Sequence, residues 1–525
     1  MNNAEEDKGM SRAANTTQGE QAERDARHLA SLGYTQELQR TLGFFSNFAV
    51  AFSYISVSTG TFALFALGIG TGGPAFFWSW PLVALGQLFV ALNFAELSSH
   101  YPVAGSIYQW SKRVASPGTG WMIGWFYLGA TILTITSVAF TLPFTLSPIF
   151  GWPLDVPTEV KIALVCIVLT TALNSVGVKL VSLINNIGVV AEIVGMGVFA
   201  LILLVVGHHQ PLSVFVNTAG TEHTPGAGGG YAGVFLTAMF MSLFVIFGFD
   251  TAGTLGEETR NPTREAPRGM LWSLGLSFLA GLLFIGAAIL AIKNVPAIMK
   301  SVTPLPDIIT GALGSFWGNV YLAVVSIAIF VCLLSIQAAG ARLTYSMGRD
   351  GRLPFARVWA AVNPTFGTPL WASIAVGVVA ALPLLVSQQI GVIATGAAGL
   401  IYLSYFLTNV VLFSARRRGW PQRSAWFGLG RWAIPINALA LLWGGTMLVN
   451  FAWPRLATNP AISAAFPGTA NWPVIGSAPI FELSVAVLLI VGGLYWLGVQ
   501  HHRVGASGAI TPSTPSSDLR PGSAR

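Results

Sequence analysis

Two long stretches of the sequence contain no Asp, Glu, Lys or Arg. One separates Arg40 from Glu96, and the other separates Arg357 from Arg416. Each can hold two apolar helices of roughly 20 residues, the length that crosses the hydrocarbon core of a bilayer. Charged residues make up 9% of the whole chain, whereas soluble proteins carry about 25%. We therefore expect an integral membrane protein whose main partner is the lipid bilayer.

The apolar runs are too long for membrane β-strands and do not alternate as such strands do. They predict an all-α protein with about 12 transmembrane helices. The predicted spans cover residues 43–69, 76–98, 118–145, 160–180, 186–207, 231–257, 269–292, 317–345, 369–386, 391–412, 433–453 and 479–499.

Basic residues indicate how these spans are oriented. All but four of the 27 Lys and Arg residues fall on one side of the predicted membrane; the exceptions are Lys161, Lys293, Lys300 and Arg455. Because cytoplasmic loops are enriched in Lys and Arg, we predict a plasma-membrane protein with both termini in the cytoplasm. The net charge of +7 is then a sign of topology, and we expect no nucleic-acid partner.

The two ends of the chain differ in composition from the spans. Residues 1–40 form a polar segment without the apolar core of a signal peptide, and we predict that it is cytoplasmic. Residues 501–525 are rich in Ser, Pro and Gly, which predicts a disordered cytoplasmic tail. The transmembrane domain would occupy residues 41–500.

Two predicted spans are interrupted by polar residues and glycine. Span 6 contains "IFGFDTAG" at residues 246–253, and span 1 contains "SYISVSTGTF" at residues 53–62. Non-helical backbone at membrane depth is tolerated where protein or a water-filled cavity surrounds it, and paired interruptions point to a transporter's binding site. Gly60 and Gly248 would permit these breaks. The alternative is that the glycines only let helices pack closely.

The five-span spacing of the breaks predicts two inverted repeats. These would cover residues 43–207 and 231–412, with two extra helices within residues 433–499. At a broken helix, the half that begins offers free N–H groups to a carboxylate, and the half that ends offers free C=O groups to an ammonium or another cation. The expected ligand is a compact amino acid or amine.

Four stretches carry a resemblance to a known family. They are "GFFSNFAVAFSYISVSTGTF", "NFAELSSHYPVAGSIYQW", "GFDTAGTLGEETRNPTREAPRG" and "ARLTYSMGRDGRLP". Together they resemble the amino acid–polyamine–organocation (APC) superfamily of permeases, most of all its amino acid/choline transporter branch, over about residues 40–500. The resemblance implies a leucine-transporter-type five-plus-five inverted repeat with broken helices 1 and 6, and transport by alternating access.

The resemblance also assigns roles by position. The family's loop for the substrate carboxylate falls on Ser58, Thr59 and Gly60. Its break in span 6 falls on Phe247, Gly248 and Phe249.

The resemblance further implies an aromatic cap over the substrate, which here is Phe244 or Phe247. Ordinary core packing is the alternative for both. Asp250 follows the break directly. It could pair with a substrate amine, line the inner pathway or cap the second half-helix.

Glu192 in span 5 is the candidate for proton coupling. A carboxylic acid at membrane depth is costly and is a functional candidate by default. Relatives place a proton-linked lysine near this position, so the glutamate departs from the pattern. A structural acid is the alternative. Ser335 in span 8 could instead help to hold Na⁺, as a hydroxyl in span 8 does in sodium-coupled members of this fold type.

Other polar residues suggest no cofactor or metal. Glu96, Glu257 and Glu258 end predicted spans and could form salt bridges or simply be solvated helix ends. The adjacent His208 and His209 are too few ligands for a metal site. The two cysteines, Cys166 and Cys332, lie in apolar spans, and we interpret them as core residues.

These observations predict a proton-coupled importer of an amino acid or related amine that performs no covalent chemistry. The first alternative is sodium-coupled or exchange transport of choline, ethanolamine or a polyamine. A more distant one is a membrane receptor that binds without transporting. A membrane-embedded enzyme is disfavoured, since the sequence has no His-Glu-x-x-His, Gly-x-Ser-x-Gly or nucleotide-loop motif.

Overall fold

The computed structural model describes residues 19–223, 230–385, 390–422, 424–453 and 480–500. Within these ranges the chain is almost entirely helical, and the β-pairing is a single isolated bridge between Leu42 and Thr259. The predicted all-α class is therefore confirmed. The tail predicted at residues 501–525 lies outside the described residues.

In the described part of the chain, twelve apolar helices follow one another in the predicted order. Ten are long enough to cross a membrane, and two shorter ones complete the series. We call them spans 1 to 12: Phe44–Gly72, Pro74–His100, Pro117–Phe150, Val156–Val176, Lys179–Val205, Tyr231–Val245, Pro262–Leu290, Pro304–Arg349, Leu370–Leu385, Ile390–Arg417, Gly430–Ala452 and Phe481–Gln500.

Spans 1 and 6 are both broken, as predicted. Span 1 consists of half-helix 1a, Phe44–Ile55, and half-helix 1b, Val57–Gly72, with Ser56 between them in a non-helical conformation (φ 31°, ψ 90°). Span 6 ends its first part at Val245 and resumes as a short helix over Thr251–Thr254. The five residues between these two pieces are not helical.

Some helix ends differ from those predicted. Span 8 begins 13 residues earlier than expected, at Pro304, and Gly314 (φ 76°) interrupts its helical backbone. Hydropathy identified only the apolar part that follows this interruption. A nine-residue helix, Ser106–Val114, also joins spans 2 and 3. Polar residues interrupt the apolar ones in that segment, so it has no long apolar run to reveal it.

The broken helices lie near the centre of the bundle. In the most apolar part of span 1, 89% of the residues are buried, whereas the corresponding share is 6% in span 12. Spans 4 and 11 also bury few residues, with a buried share of 22% each, and most of their large exposed side chains are apolar, as expected for helices that face lipid. Polar backbone at the two breaks is therefore surrounded by protein.

The N-terminal segment lies against one end of the bundle. It is helical over residues 19–31 and then runs to Leu42, whose backbone pairs with Glu258 and Arg260 after the break in span 6. Asp25 forms an ion pair with Arg40 at 2.9 Å and accepts a hydrogen bond from the backbone N–H of Asn261, also at 2.9 Å. The polar segment predicted at residues 1–40 thus includes a docked part.

Candidate substrate site at two broken helices

The break in span 1 lies at Ser56, two residues before the predicted loop. Ser58, Thr59 and Gly60 belong to the first turn of half-helix 1b, and the Ser56 hydroxyl accepts a hydrogen bond from the Thr59 N–H at 3.4 Å. Gly60 therefore does not produce the break. Its small size has another purpose: a Cβ on Gly60 would lie 2.5 Å from the Val245 side chain. Glycine here lets span 1 approach span 6 closely.

Glu192 reaches from span 5 to the start of half-helix 1b. Its Oε1 atom accepts hydrogen bonds from the Ser56 hydroxyl at 2.8 Å, the Ser58 hydroxyl at 2.6 Å and the Ser58 N–H at 3.3 Å. The residue is 3% exposed, and it takes part in none of the ion pairs among the described residues. A carboxylate at this position is stabilised by the positive end of the helix dipole.

The break in span 6 depends on Gly248. Its φ is +90°, a conformation that L-residues rarely adopt, and a Cβ would lie 1.9 Å from the Tyr54 ring. The Gly248 N–H donates to the Tyr405 hydroxyl of span 10 at 2.9 Å. The structure thus joins this break to spans 1 and 10.

Asp250 is enclosed by hydroxyl groups. Its carboxylate accepts hydrogen bonds from Tyr405 at 2.5 Å, Tyr127 at 2.7 Å and Ser106 at 2.9 Å, and the residue is fully buried. Its side chain makes no capping hydrogen bond to the short helix that follows. The predicted capping role is therefore wrong. Instead, the carboxylate connects span 6 to spans 3 and 10 and to the helix between spans 2 and 3.

The aromatic candidates separate into two groups. Phe244 and Phe247 pack edge to face at 5.8 Å, and Phe247 lies 6.3 Å from Tyr54 of half-helix 1a. Phe247 thus contacts half-helix 1a close to its break, and Phe244 packs against Phe247. Phe249 points elsewhere, because its ring packs 5.4 Å from Tyr405 and 6.2 Å from Phe94. The structure thus groups Phe249 with the aromatic core.

In span 8, the residue that reaches the span 1 break is Cys332. Its thiol donates to the Tyr54 carbonyl near the end of half-helix 1a, at 3.5 Å. Ser335 donates instead to the Asn185 side chain of span 5 at 2.9 Å. The structure does not bring the Ser335 hydroxyl to the break. The sequence interpretation of Cys332 as a core residue is correct for its burial but missed this contact.

Three acidic residues at helix ends form buried ion pairs. Among the described residues, their partners come from spans 8 and 10 rather than from the nearby Arg260, Arg264 or Arg268. The pairs are Glu257–Arg349 at 2.7 Å, Glu258–Arg342 at 2.7 Å, and Glu96–Arg416. The salt-bridge interpretation is therefore confirmed, and the alternative of solvated helix ends is wrong.

Several site residues were not found from the sequence. Ser56, Tyr54, Tyr127 and Tyr405 contact the breaks or Asp250, yet each lies in a long apolar span where a hydroxyl is no unusual feature. A polar residue in an otherwise apolar run was the available signal, but many such residues occur. In the described part of the chain, no group of three His, Cys, Asp or Glu side chains could hold a metal ion.

Known proteins resemble this chain over most of its length. A family model for amino acid permeases matches residues 42–477. An amino-acid permease BAT1 homolog from Oryza sativa subsp. japonica is 29% identical over 459 residues, covering 81% of this chain and 87% of the rice protein. The branched-chain amino acid permease BcaP of Lactococcus lactis subsp. cremoris is 27% identical over 366 residues, covering 66% and 75% respectively. A choline transporter of Saccharomyces cerevisiae is 25% identical over 426 residues, covering 78% and 74%.

Among solved structures, MhsT in complex with L-phenylalanine has a similar fold. The TM-score is 0.58 at 15% sequence identity, and the match covers 79% of this chain and 99% of MhsT. This likeness shows the leucine-transporter fold that the family resemblance implied. Because the family model covers more than three-quarters of the sequence, this multi-pass membrane protein belongs to the amino acid permease family.

Proposed function

We propose that the protein imports an amino acid across the plasma membrane together with a proton. The main support is geometric. Two helices at the centre of the bundle are broken, and Gly60 and Val245 hold these helices in close contact. The breaks place helix-end N–H and C=O groups at membrane depth, where such groups can replace the hydration shell of a zwitterion. Relatives named as amino acid permeases add support.

The proposed substrate site lies between half-helices 1a and 1b and the break in span 6. The substrate carboxylate would bind at the start of half-helix 1b, at Ser58, Thr59 and Gly60. The amino group would bind C=O groups near the end of half-helix 1a and in the Phe247–Gly248 segment. Phe244 and Phe247 would form the apolar wall of the site.

Asp250 has a different role in this proposal. Three hydroxyl groups already donate to its carboxylate, and a substrate amine would have to compete with them. We infer that Asp250 positions the span 6 break by tying it to spans 3 and 10. It therefore acts through the backbone of Gly248 and Phe249 rather than by contacting the amine.

Glu192 is the proposed proton carrier. It contacts the span 1 break directly, it is buried, and it has no ion-pair partner in the described part of the chain. Proton transfer to this group changes the charge beside the substrate site without a metal ion. Sodium coupling has less support, because the Ser335 hydroxyl donates to Asn185 and does not face the break.

A second candidate substrate is choline or a related organic cation. The choline transporter relative favours it, as do the aromatic rings of Tyr54 and Phe247 beside the break. Aromatic faces attract quaternary ammonium groups.

Uptake into proteoliposomes tests both candidates. Labelled amino acids, choline, ethanolamine and polyamines are added with an imposed inward proton gradient, with and without sodium. We expect accumulation of an amino acid that a protonophore abolishes, and none in liposomes without protein. Accumulation of choline alone, or uptake that requires sodium or internal substrate but ignores the proton gradient, would contradict the proposal.

A further inference from the structure

A carboxylate of the protein already occupies the proposed binding position for the substrate carboxylate. The Oε1 atom of Glu192 takes the hydroxyl hydrogen bonds of Ser56 and Ser58 and lies 3.3 Å from the Ser58 nitrogen. Glu192 makes these contacts from the middle of span 5, although Ser58 is 134 residues away in sequence. They place a buried acidic side chain at the positive end of half-helix 1b.

Two further N–H groups of this turn are also engaged. The Thr59 N–H donates to the Ser56 hydroxyl at 3.4 Å, and the Gly60 N–H donates to the Ser56 carbonyl at 3.1 Å. None of the three residues predicted to bind the substrate carboxylate therefore has a free backbone donor. An incoming carboxylate can gain the Ser58 N–H and the two serine hydroxyls only if Glu192 leaves them.

Two ionised carboxylates cannot share this position at low cost. Like charges in contact disfavour each other's ionisation, and the effect is strong where water is excluded. A protonated Glu192 is neutral and becomes a hydrogen-bond donor itself. It then competes poorly for N–H and O–H donors, and these become available to an anion.

We propose that Glu192 is an internal substitute for the substrate carboxylate, and that an amino acid binds only after Glu192 takes up a proton and releases half-helix 1b. This inference rests on the proposed function and explains how the two fluxes are coupled. A proton from the outer solution bonds to a Glu192 oxygen, and the substrate carboxylate takes the vacated donors. When the substrate leaves on the inner side, the proton leaves for the inner solution and Glu192 returns.

Among the described residues that surround Glu192, the neighbouring groups keep their charge state at ordinary pH, so Glu192 is the group whose charge can change. From span 8, the Cys332 thiol and the Tyr321 phenol lie within electrostatic range of it, and both groups are neutral at ordinary pH. Span 1 presents serine hydroxyls. The charged residues of span 4, Glu159 and Lys161, lie near the start of that helix. Near the start of span 7, Arg264 and Arg268 both pair with Glu265.

Equilibrium binding to the purified full-length protein tests the inference. The ligands are the labelled amino acid found in the uptake screen and the amine that results from its decarboxylation, each measured from pH 5 to pH 8. For the wild type, we expect the affinity for the amino acid to fall by up to tenfold per pH unit as Glu192 ionises. The amine lacks the competing carboxylate, so its affinity should not fall in the same way.

Glu192→Gln imitates the protonated side chain at nearly the same size. We expect it to bind the amino acid with no pH slope and about tenfold or more tightly than the wild type at pH 8. Glu482→Gln in span 12 is the matched control, since it removes a partly buried glutamate far from the breaks in sequence. It should keep the wild-type slope.

A second variant guards against misfolding of the first. Glu192→Asp keeps the charge but shortens the side chain by one methylene, so its carboxylate should reach the donors poorly. We expect tighter binding of the amino acid at pH 8 than in the wild type. An unchanged pH slope in Glu192→Gln, or no gain in Glu192→Asp, would overturn the inference alone. Failure of every amino acid to bind any variant would overturn the proposed function as well.

Discussion

At the scale of single residues, the two breaks have different physical origins. Ser56 adopts a positive φ (31°) and uses its own hydroxyl to accept from the Thr59 N–H. Gly248 adopts φ +90° beside the Tyr54 ring, where no side chain fits. A serine can be replaced by another small polar residue at modest cost, but Gly248 has no substitute. The break in span 6 is therefore the less tolerant of the two.

Gly248→Ala tests this asymmetry. We expect a severe loss of stability and of uptake, because the left-handed conformation costs about 1–2 kcal/mol and overpacking against Tyr54 costs roughly 1–3 kcal/mol more. The measurement is the apparent melting temperature in detergent together with uptake. Gly275→Ala in span 7 is the control, since a Cβ there meets nothing within 4 Å. A Gly248→Ala protein as stable and active as Gly275→Ala would contradict this assignment.

The hydroxyl of Tyr405 stabilises the break from two sides. It donates to Asp250 and accepts from the Gly248 N–H. Tyr405→Phe removes a hydrogen bond to a charged group and leaves a buried N–H unpaired, which we expect to cost about 1.5–3 kcal/mol and to reduce uptake. Tyr402→Phe, a buried tyrosine of the same span without a bond to Asp250, is the control. Equal melting temperatures for the two variants would refute the role given to Tyr405.

Residue roles were only partly predictable from the sequence. Glu192 and Asp250 stood out because ionisable groups are rare at membrane depth. Their partners did not, since Ser56 and Glu192 are 136 positions apart and Tyr405 and Asp250 are 155 apart. Contacts over such distances depend on how the helices pack, which a pattern of apolar residues does not specify. The exact position of the span 1 break, Ser56, was missed because it also depends on packing. Gly60 marks a close approach between two helices and not the break itself.

At the scale of elements, buried ion pairs and the N-terminal segment connect several spans to one another at one end of the bundle. Arg342 of span 8 forms a two-pronged contact with Glu258, at 2.7 and 3.1 Å, and both side chains are buried. Arg349, about two helical turns further on, holds Glu257 and stacks on Tyr34 of the N-terminal segment at 4.0 Å. This end of the bundle is closed by contacts that any opening there has to break.

Breaking the buried pair should be more harmful than removing it. Arg342→Met leaves Glu258 buried without a partner, which typically costs about 3–5 kcal/mol. The double variant Arg342→Met/Glu258→Leu replaces both charges with apolar groups, and we expect it to regain a large part of that loss. Melting temperatures of the three proteins provide the test. A double variant no more stable than Arg342→Met would show that the pair does not act as a unit.

Docking of the N-terminal segment should depend on pH through Asp350. Burial acts to raise the pKa of this carboxyl, but the Lys112 ammonium and hydrogen bonds from Lys112, Tyr108 and Tyr34 outweigh burial and lower the pKa below its usual value. A lowered pKa in the folded state gives stability that is present above the unfolded value of about 3.9 and is lost as the pH falls through the folded value.

Asp350→Asn should therefore lower the melting temperature at pH 7, and the difference from the wild type should shrink below about pH 4. Asp307→Asn is the comparison, since Asp307 lies in the first turn of span 8, at the other end of the helix, and is exposed. A difference for Asp350→Asn that stays constant down to the lowest pH tolerated would contradict the role of the ionised carboxylate.

The order and number of the spans could be predicted because apolar length is a strong signal in a chain with so few charges. The docking of the N-terminal segment could not, because its residues are polar and have no periodic pattern that indicates a buried face. The early start of span 8 was missed because the segment before Gly314 is less apolar. Long apolar spans were thus easier to find than the more polar segments at the ends of the bundle.

At the scale of the whole molecule, membership of the amino acid permease family supports amino acid transport, and the contacts at the breaks are the basis of the proposed site and coupling. A permease of this fold has its two broken helices at the centre, and this chain places one carboxylate, Glu192, against the first of them. The orientation predicted from Lys and Arg places both termini in the cytoplasm. The closed end with its buried ion pairs would then face the cytoplasm.

In the proposed mechanism, an amino acid and a proton cross the membrane together. The direct measurement is the internal pH of proteoliposomes that contain a trapped pH-sensitive dye, recorded after the amino acid is added outside with no imposed gradient. The proposed mechanism predicts acidification of the interior that depends on the substrate and is absent in Glu192→Gln. Uptake of the labelled amino acid with no change in internal pH would contradict it.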